Sequence, residues 1–390
     1  MRGAGHPERD GSASVDLSAL GGPGSQLRRD VVTGQPSPAA LAAARSGAWV
    51  ARRGRASWRA EPRSIVVTVV AGALAVAGFV VSLAVGDYPI PVAHVVDALL
   101  GRPVPGRSGY VVEEIRLPRG LVAMTSGAAL ALSGGIFQRV ARNPLASPDI
   151  VGITAGASTA AVAVIVLWAG SSAAVAAGAL VGGATTALVI YLAAYRQGVT
   201  GYRLILVGIA VGAVLTSVTS YLLVSADLYT VQRASAWLAG GLAGAGWDDV
   251  PVLVGATAVL GAAALLLSRQ LRLLELDDEL AATLGVRVEP ARAAVLLVAV
   301  ALAAIATSVV GPITFVALVA PQIARRLVRE RALALVASAA VGGVLVVAAD
   351  LVARRAFAPT ELPAGIVTGV LGAPYLLVLL WRANRVGATG

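Results

Sequence analysis

Ten stretches of this chain stay apolar over about the 20 residues that an α-helix needs to cross a hydrocarbon layer. They are residues 65–85, 117–138, 150–168, 173–194, 203–224, 249–268, 293–310, 312–328, 333–352 and 364–381. Few folds can use so many such stretches. Backbone groups facing lipid must be paired within their own segment, which a helix achieves and an open sheet edge does not. The expectation is an all-α polytopic membrane protein with about ten transmembrane helices. Its charge content agrees: 13% of residues are charged, against about a quarter in an ordinary soluble domain. The seventh and eighth spans are separated only by Gly311 and Pro312, which break a helix and permit a tight reversal.

An even number of spans places both termini on one side, and arginine distribution says which. One face receives 24 arginines and the other 7; without the ten of the N-terminal tail the balance is still 14 to 7. Both termini are therefore expected in the cytoplasm. Aromatic rings fall near the expected boundaries, Tyr88, Trp168, Trp237 and Trp247 outside, Tyr195, Tyr202 and Trp381 inside, as rings at headgroup level do. Residues 1–63, rich in Gly, Ser, Pro, Ala and Arg, read as a disordered cytoplasmic tail, with a misassigned start codon as the alternative. Residues 64–385 read as the transmembrane domain and 386–390 as a C-terminal tail.

The same composition excludes several functions. All 31 basic residues are arginine, so the phosphate loop GxxxxGK[ST] is absent. The positive charge is spread between apolar segments and is not gathered into a basic domain with interleaved aromatics, which argues against nucleic acid. With no cysteine and only His6 and His94, the usual ligands of zinc, haem and iron-sulfur centres are missing, so no metal site is expected. Nothing in the chain suggests a catalytic residue. Glycine pairs four residues apart, Gly178 with Gly182, Gly208 with Gly212 and Gly365 with Gly369, read first as close helix packing.

Two regions carry readable chemistry. The connection 269–292 contains LELDDELAATLGV, where Asp277 is placed to cap a short helix and Gly285 to end it. Leu280, Ala281 and Leu284 would form a small apolar face beside Asp278 and Glu279. Such a helix either docks a partner or is an interfacial connector, and the residues alone do not choose. On the other face Arg116, Arg119, Arg354 and Arg355 run against the positive-inside bias. They either neutralise nearby Glu113, Glu114, Asp350 and Glu361, which the residues alone favour, or receive acidic groups of a partner or ligand.

The motifs RLPR (Arg116 to Arg119), GAALALSGGIFQRVARNPLASPDIVGITAGAS, DDELAATLGV, GPITFVALVAPQIARRLV and ADLVARRAFAPTELPAGIVTGVLGAPYLL occur in this order over about residues 65–385. Together they resemble the FecCD family of ABC-importer permeases. RNPLASPDIVGITAGAS, GYRLILVGI, ADLYTVQRASAWLAGGLAGAGW and VAPQIARR are most similar to its ferric enterobactin-type members. The resemblance implies a type II ABC-importer permease fold with a second permease subunit (identical or different), two ATPase subunits and an extracytoplasmic substrate-binding protein. ATP and Mg would bind to the ATPase, leaving this chain without a cofactor. It further implies that Asp277, Asp278, Glu279, Leu280, Ala281, Ala282, Leu284 and Gly285 form the ATPase-coupling segment. Arg116, Arg119 and Arg354 match arginines that receive the binding protein. Gly208, Gly212, Thr216, Ser220 and Thr368 would stand along the translocation pathway, although helix periodicity alone makes them packing positions. Two departures bear on substrate contacts: Gln322 stands where many relatives have His, and Gly212 where many have Asn.

The function so implied is import of a ferric siderophore across a bacterial cytoplasmic membrane by alternating access, with cobalamin or haem as the alternative cargo. An ion-coupled secondary transporter is the rival from another class. It needs ionisable groups near the bilayer midplane, which these spans almost wholly lack. A membrane scaffold without transport is the other rival.

Overall fold

The computed structural model describes residues 49–53, 56–60, 62–104, 106–196, 198–328 and 331–387. The chain divides into two compact units, Met1–Pro62 and Arg63–Gly390. Most of the first, and so most of the expected disordered tail, lies outside the described residues. Its described part is an antiparallel pair of strands, β1 (Trp49–Arg53) and β2 (Ala56–Ala60), with Trp49 opposite Ala60 and Arg53 opposite Ala56. Period-two pairing over five residues gave no hydropathy signal, so it was not expected from the sequence.

The second unit is helical. In chain order its helices are α1 (Pro62–Ala84), α2 (Val92–Leu99), α3 (Ser108–Val140), α4 (Ile153–Trp168), α5 (Ser172–Ala194), α6 (Gly201–Val224) and α7 (Leu228–Leu238). There follow α8 (Asp249–Leu266), α9 (Ser268–Leu274), α10 (Asp278–Thr283), α11 (Val288–Val310), α12 (Val316–Leu327), α13 (Arg331–Arg355) and α14 (Ala364–Gly387). Each of the ten apolar stretches contains a helix. Among the described residues seven helices are long and apolar enough to span a membrane, and α4, at 16 residues, is a shorter apolar one.

Helix α3 is the hub. Its apolar window is 78% buried, against 11% for α6, and it packs against α8, α11, α12 and α13. The reason is its side chains: GLVAMTSGAALALSGG offers small residues on every face, so neighbouring backbones approach closely from all sides. Helices α1, α6 and α8, rich in Leu and Val, stay on the periphery with large apolar groups outward, among them Val69, Leu74, Leu206, Val214, Val259 and Leu266.

Two expected spans are corrected. The second begins earlier, since one π-helical turn, Val111–Arg116, joins Ser108 to the body of α3. The eighth is not a 17-residue helix. Gly311 (φ 70°) ends α11, Phe315 also adopts positive φ (65°), and α12 keeps only 12 residues, about 18 Å long. From Val316 to Gln322 every residue of α12 is buried, so most of it is a core element, and only Arg325, Arg326 and Leu327 at its end are exposed. Exposed Tyr88, Trp168, Tyr195, Tyr202 and Trp381 lie near the helix ends, consistent with aromatic belts.

Candidate functional site

Arg116 and Arg142 flank the 24-residue α-helical body of α3, Leu117–Val140, which is about 36 Å long, and each marks a polar cluster.

At the first end α1 runs out at Ala84, leaving carbonyls without intrahelical partners. Arg116, rotated inward by the π-turn, supplies them. It donates to the carbonyl oxygens of Leu83 (2.8 Å), Ala84 (3.1 Å) and Tyr88 (2.6 Å). Gly86 makes room, for a Cβ there would lie 2.3 Å from the guanidinium. Arg354 reaches the same helix end, donating to the Ser82 hydroxyl (2.8 Å) and to the carbonyls of Ser82 and Val85 (both 3.3 Å). Its Nε also lies 3.0 Å from Asp350. Asp350 is 2% exposed and accepts two bonds from Arg119, at 2.9 and 3.1 Å. Arg119 donates in addition to the half-exposed Glu361 at 3.0 Å. One buried carboxylate thus ties α3 to α13, and two guanidinium groups tie both to α1.

This geometry separates the three arginines expected to receive a binding protein. Arg116 is buried and committed to three carbonyls, not to the acids expected to neutralise it, whereas Arg354, its side chain 9% exposed, pairs with one of those acids, Asp350, as well as with carbonyls. In this conformation neither presents a free edge to a partner. Arg119 is likewise bonded through all three nitrogens, to Asp350 and Glu361, but with Glu361 it lines an open cavity of about 1060 Å³ whose wall also carries Arg233, Trp237, Asp248 and Asp249. Arg355, 3.5 Å from Asp87, is exposed.

At the second end the expected capping is observed. The Asp277 carboxylate accepts from the Glu279 amide (3.1 Å), α10 runs one and a half turns, and Gly285 stops it at φ 83°. Its apolar residues divide. Ala281 is buried, whereas Leu280 and Leu284 are about half exposed and face outward, and Ala282 is exposed as well. Asp278 turns to the protein. Both its oxygens accept from Arg292 (2.8 and 2.9 Å), and one accepts from Arg142 (2.6 Å). Burial works to raise the Asp278 pKa, but the hydrogen bond and charge of Arg292, joined by Arg142, hold it below the ordinary aspartate value. A depressed carboxylate contributes stability above its unfolded pKa and loses it as pH falls through the folded one. The cluster is therefore expected to persist through pH 5 and to dissolve only below about pH 4. Proteolytic susceptibility of the 269–292 connection, followed from pH 7 to pH 3, measures this.

The expected pathway residues also separate. Gly208 and Gly212 are packing positions: a Cβ on Gly208 would lie 2.4 Å from the Val151 carbonyl oxygen, and Gly212 rests on Gly152. Thr368 is buried and bonded to the Gly365 carbonyl (3.0 Å). Gly208 and Thr368 are therefore buried within this chain, whereas Gly212 remains partly exposed. Thr216 and Ser220 are exposed and, with Ser217, form a hydroxyl stripe on α6. Each bonds the carbonyl four residues back, Gly212 (2.9 Å), Thr216 (3.0 Å) and Ala213 (3.0 Å) respectively, so it can face an apolar or a wet neighbour. Gln322 bridges the Gln138 side chain (2.7 Å) and the Pro144 carbonyl (3.1 Å) and is buried, which makes it a packing residue.

Comparison with known proteins places this arrangement. The model of the FecCD transport family matches residues 74–382. The ferric enterobactin transport system permease protein FepG of Escherichia coli (strain K12) is 43% identical over 304 residues, 77% of this chain and 91% of that protein. The achromobactin transport system permease protein CbrC of Dickeya dadantii (strain 3937) is 42% identical over 337 residues, 86% and 96% of the two chains. A solved metal-chelate type ABC transporter in an inward-facing conformation aligns with a TM-score of 0.73 and 28% identity, covering 82% of this chain and 99% of its own. A chain with several long apolar helices packed around a hub of small residues, matched over most of its length by permeases, is a multi-pass membrane protein, and it belongs to the FecCD transport family.

Proposed function

We propose that this chain is the permease subunit of an ABC importer that carries a ferric siderophore across a bacterial cytoplasmic membrane, with both termini in the cytoplasm. The observation that carries the reading is the family match over residues 74–382, whose similar members include permeases named for ferric enterobactin and achromobactin. Helix α10, with Leu280 and Leu284 outward, is the contact for the ATPase, which binds ATP and Mg. A second permease subunit covers α6, and the hydroxyl stripe of Thr216, Ser217 and Ser220 faces the passage between the two. A substrate-binding protein docks at the Arg119 end, where the cavity beside Glu361 admits an acidic side chain in exchange for Glu361. Transport is alternating access between subunits, with no bond made or broken in the cargo.

The ion-coupled rival is disfavoured by Asp350. It is the least solvent-exposed acid among the described residues, and it is held between Arg119 and Arg354, where a cycling proton would strip two largely buried cations of their shared carboxylate. Uptake of radiolabelled ferric catecholate, ferric hydroxamate and cobalamin in iron-limited cells with and without the gene tests the assignment. Deletion is expected to remove uptake of one ferric siderophore and spare cobalamin. Loss of cobalamin alone would keep the importer and change its cargo, and loss of none would favour the scaffold.

A further inference from the structure

We propose that Asp278 is the pivot of a two-armed linkage that carries displacement of α10 to the base of α6, and that Arg292 and Arg142 are its positioning residues. This rests on the reading of α10 as the ATPase contact.

The first arm is a hydrogen-bond chain. Arg292, 5% exposed on the first turns of α11, holds both oxygens of Asp278 with one nitrogen. With the other it donates to the Val199 carbonyl (2.6 Å) and to Glu289 (2.8 Å). Glu289 in turn accepts from the Val199 amide (3.4 Å). Val199 is therefore gripped at both its N–H and its C=O, two residues before Gly201, where α6 begins. The buried guanidinium has little water to exchange its partners with, so it acts as a stiff link.

The second arm is backbone packing. Arg142, itself at φ 50°, donates to Asp278 (2.6 Å) and to the Leu274 carbonyl (3.2 Å), which joins the 141–152 loop to the connection carrying α10. That loop lies along the glycine face of α6. A Cβ on Gly201 would lie 2.5 Å from the Ala141 Cα, and one on Gly208 would lie 2.4 Å from the Val151 oxygen. The two arms reach α6 by different means, one through Val199 at its start and one along its first three turns. The helix they hold carries the exposed stripe of Thr216, Ser217 and Ser220. Movement of Asp278 leaves the base of α6 in place only if both arms yield.

The test uses the full transporter in proteoliposomes, with the permease as Arg292→Gln, Arg142→Gln and both, beside Asp278→Glu. Two quantities are read: cargo moved per ATP hydrolysed, and the rate of thiol alkylation at Ser217→Cys with and without ATP. The chain has no other cysteine, so label recovered on this subunit after its separation by electrophoresis reports Ser217→Cys alone. Transport per ATP is expected to fall about ten-fold in Arg292→Gln and further in the double variant, the range of coupling between sites. ATP hydrolysis should persist, the ATP-dependent change in alkylation should vanish, and Asp278→Glu should keep much of both. Arg142, whose side chain is 39% exposed, is replaceable without threat to folding and carries the test if Arg292→Gln does not assemble. A wild-type ratio in the double variant overturns the linkage, as does loss of hydrolysis and transport in equal proportion. If the unmodified protein couples hydrolysis to no cargo at all, the importer reading fails first and the linkage with it.

Discussion

Replacing Gly134 with valine is expected to leave no correctly packed permease. A Cβ at this position would sit 1.7 Å from the Ala317 carbonyl oxygen and 2.5 Å from its carbon, so the obstruction is backbone and cannot rotate away. Helix α3 is buried on every side here and α12 is itself fixed between α3 and α13, so neither can withdraw without opening the core. Overpacking of well-packed interiors commonly costs about 1–3 kcal/mol, and an obstruction by main chain belongs at or above the top of that range. Even alanine at 134 should lower the midpoint of thermal unfolding in detergent, and valine should remove the monodisperse species in size-exclusion chromatography. Alanine at Gly72, where a Cβ meets nothing within 4 Å, should change neither. Equal tolerance at the two sites would mean that α3 and α12 do not approach as described.

The second large effect is expected at Asp350. Changing it to alanine leaves Arg119 and Arg354 facing each other across a buried space, with only Glu361 and backbone carbonyls to compensate. Removing one partner of a buried ion pair costs about 3–5 kcal/mol, mostly because the remaining charge stays desolvated. Thermal unfolding in detergent should show the loss, and the double change Asp350→Leu with Arg119→Leu should recover part of it by removing a stranded charge. If Asp350→Ala were as stable as the parent, the cluster would be solvated and Arg116, Arg119 and Arg354 would be free for a partner after all. The outcome therefore also bears on the docking proposed at Arg119, which of these three lines the open cavity.

Both effects turn on positions whose meaning is invisible in the linear chain. Gly134 belongs to a glycine-rich run in which it cannot be told from Gly135, whose Cβ would meet only movable side chains at 3.3 Å. Asp350 and Arg119 are 231 residues apart, and their pairing depends on the register in which α3 and α13 pack.

Other features were legible from local rules. A run of about 20 apolar residues forms a helix in lipid because its backbone has no other partners. That constraint acts within one segment, so each of the ten stretches contains a helix. Capping is local too, which is why Asp277 and Gly285 bound α10 as read. Where a non-local term entered, local reading stopped: Phe315 at positive φ shortened the eighth helix, and paired carbonyls at the end of α1 drew Arg116 and Arg354 inward. The sequence alone determined that this is a membrane permease of FecCD type with a capped helix in its longest charged connection. Only the tertiary structure decided which arginine lines an open cavity, which glycines are contacts between backbones, and that Asp278 joins α10 to the base of α6. Hydropathy and capping are properties of neighbours along the chain, whereas the partner of a buried charge is set by the packing of helices distant in sequence.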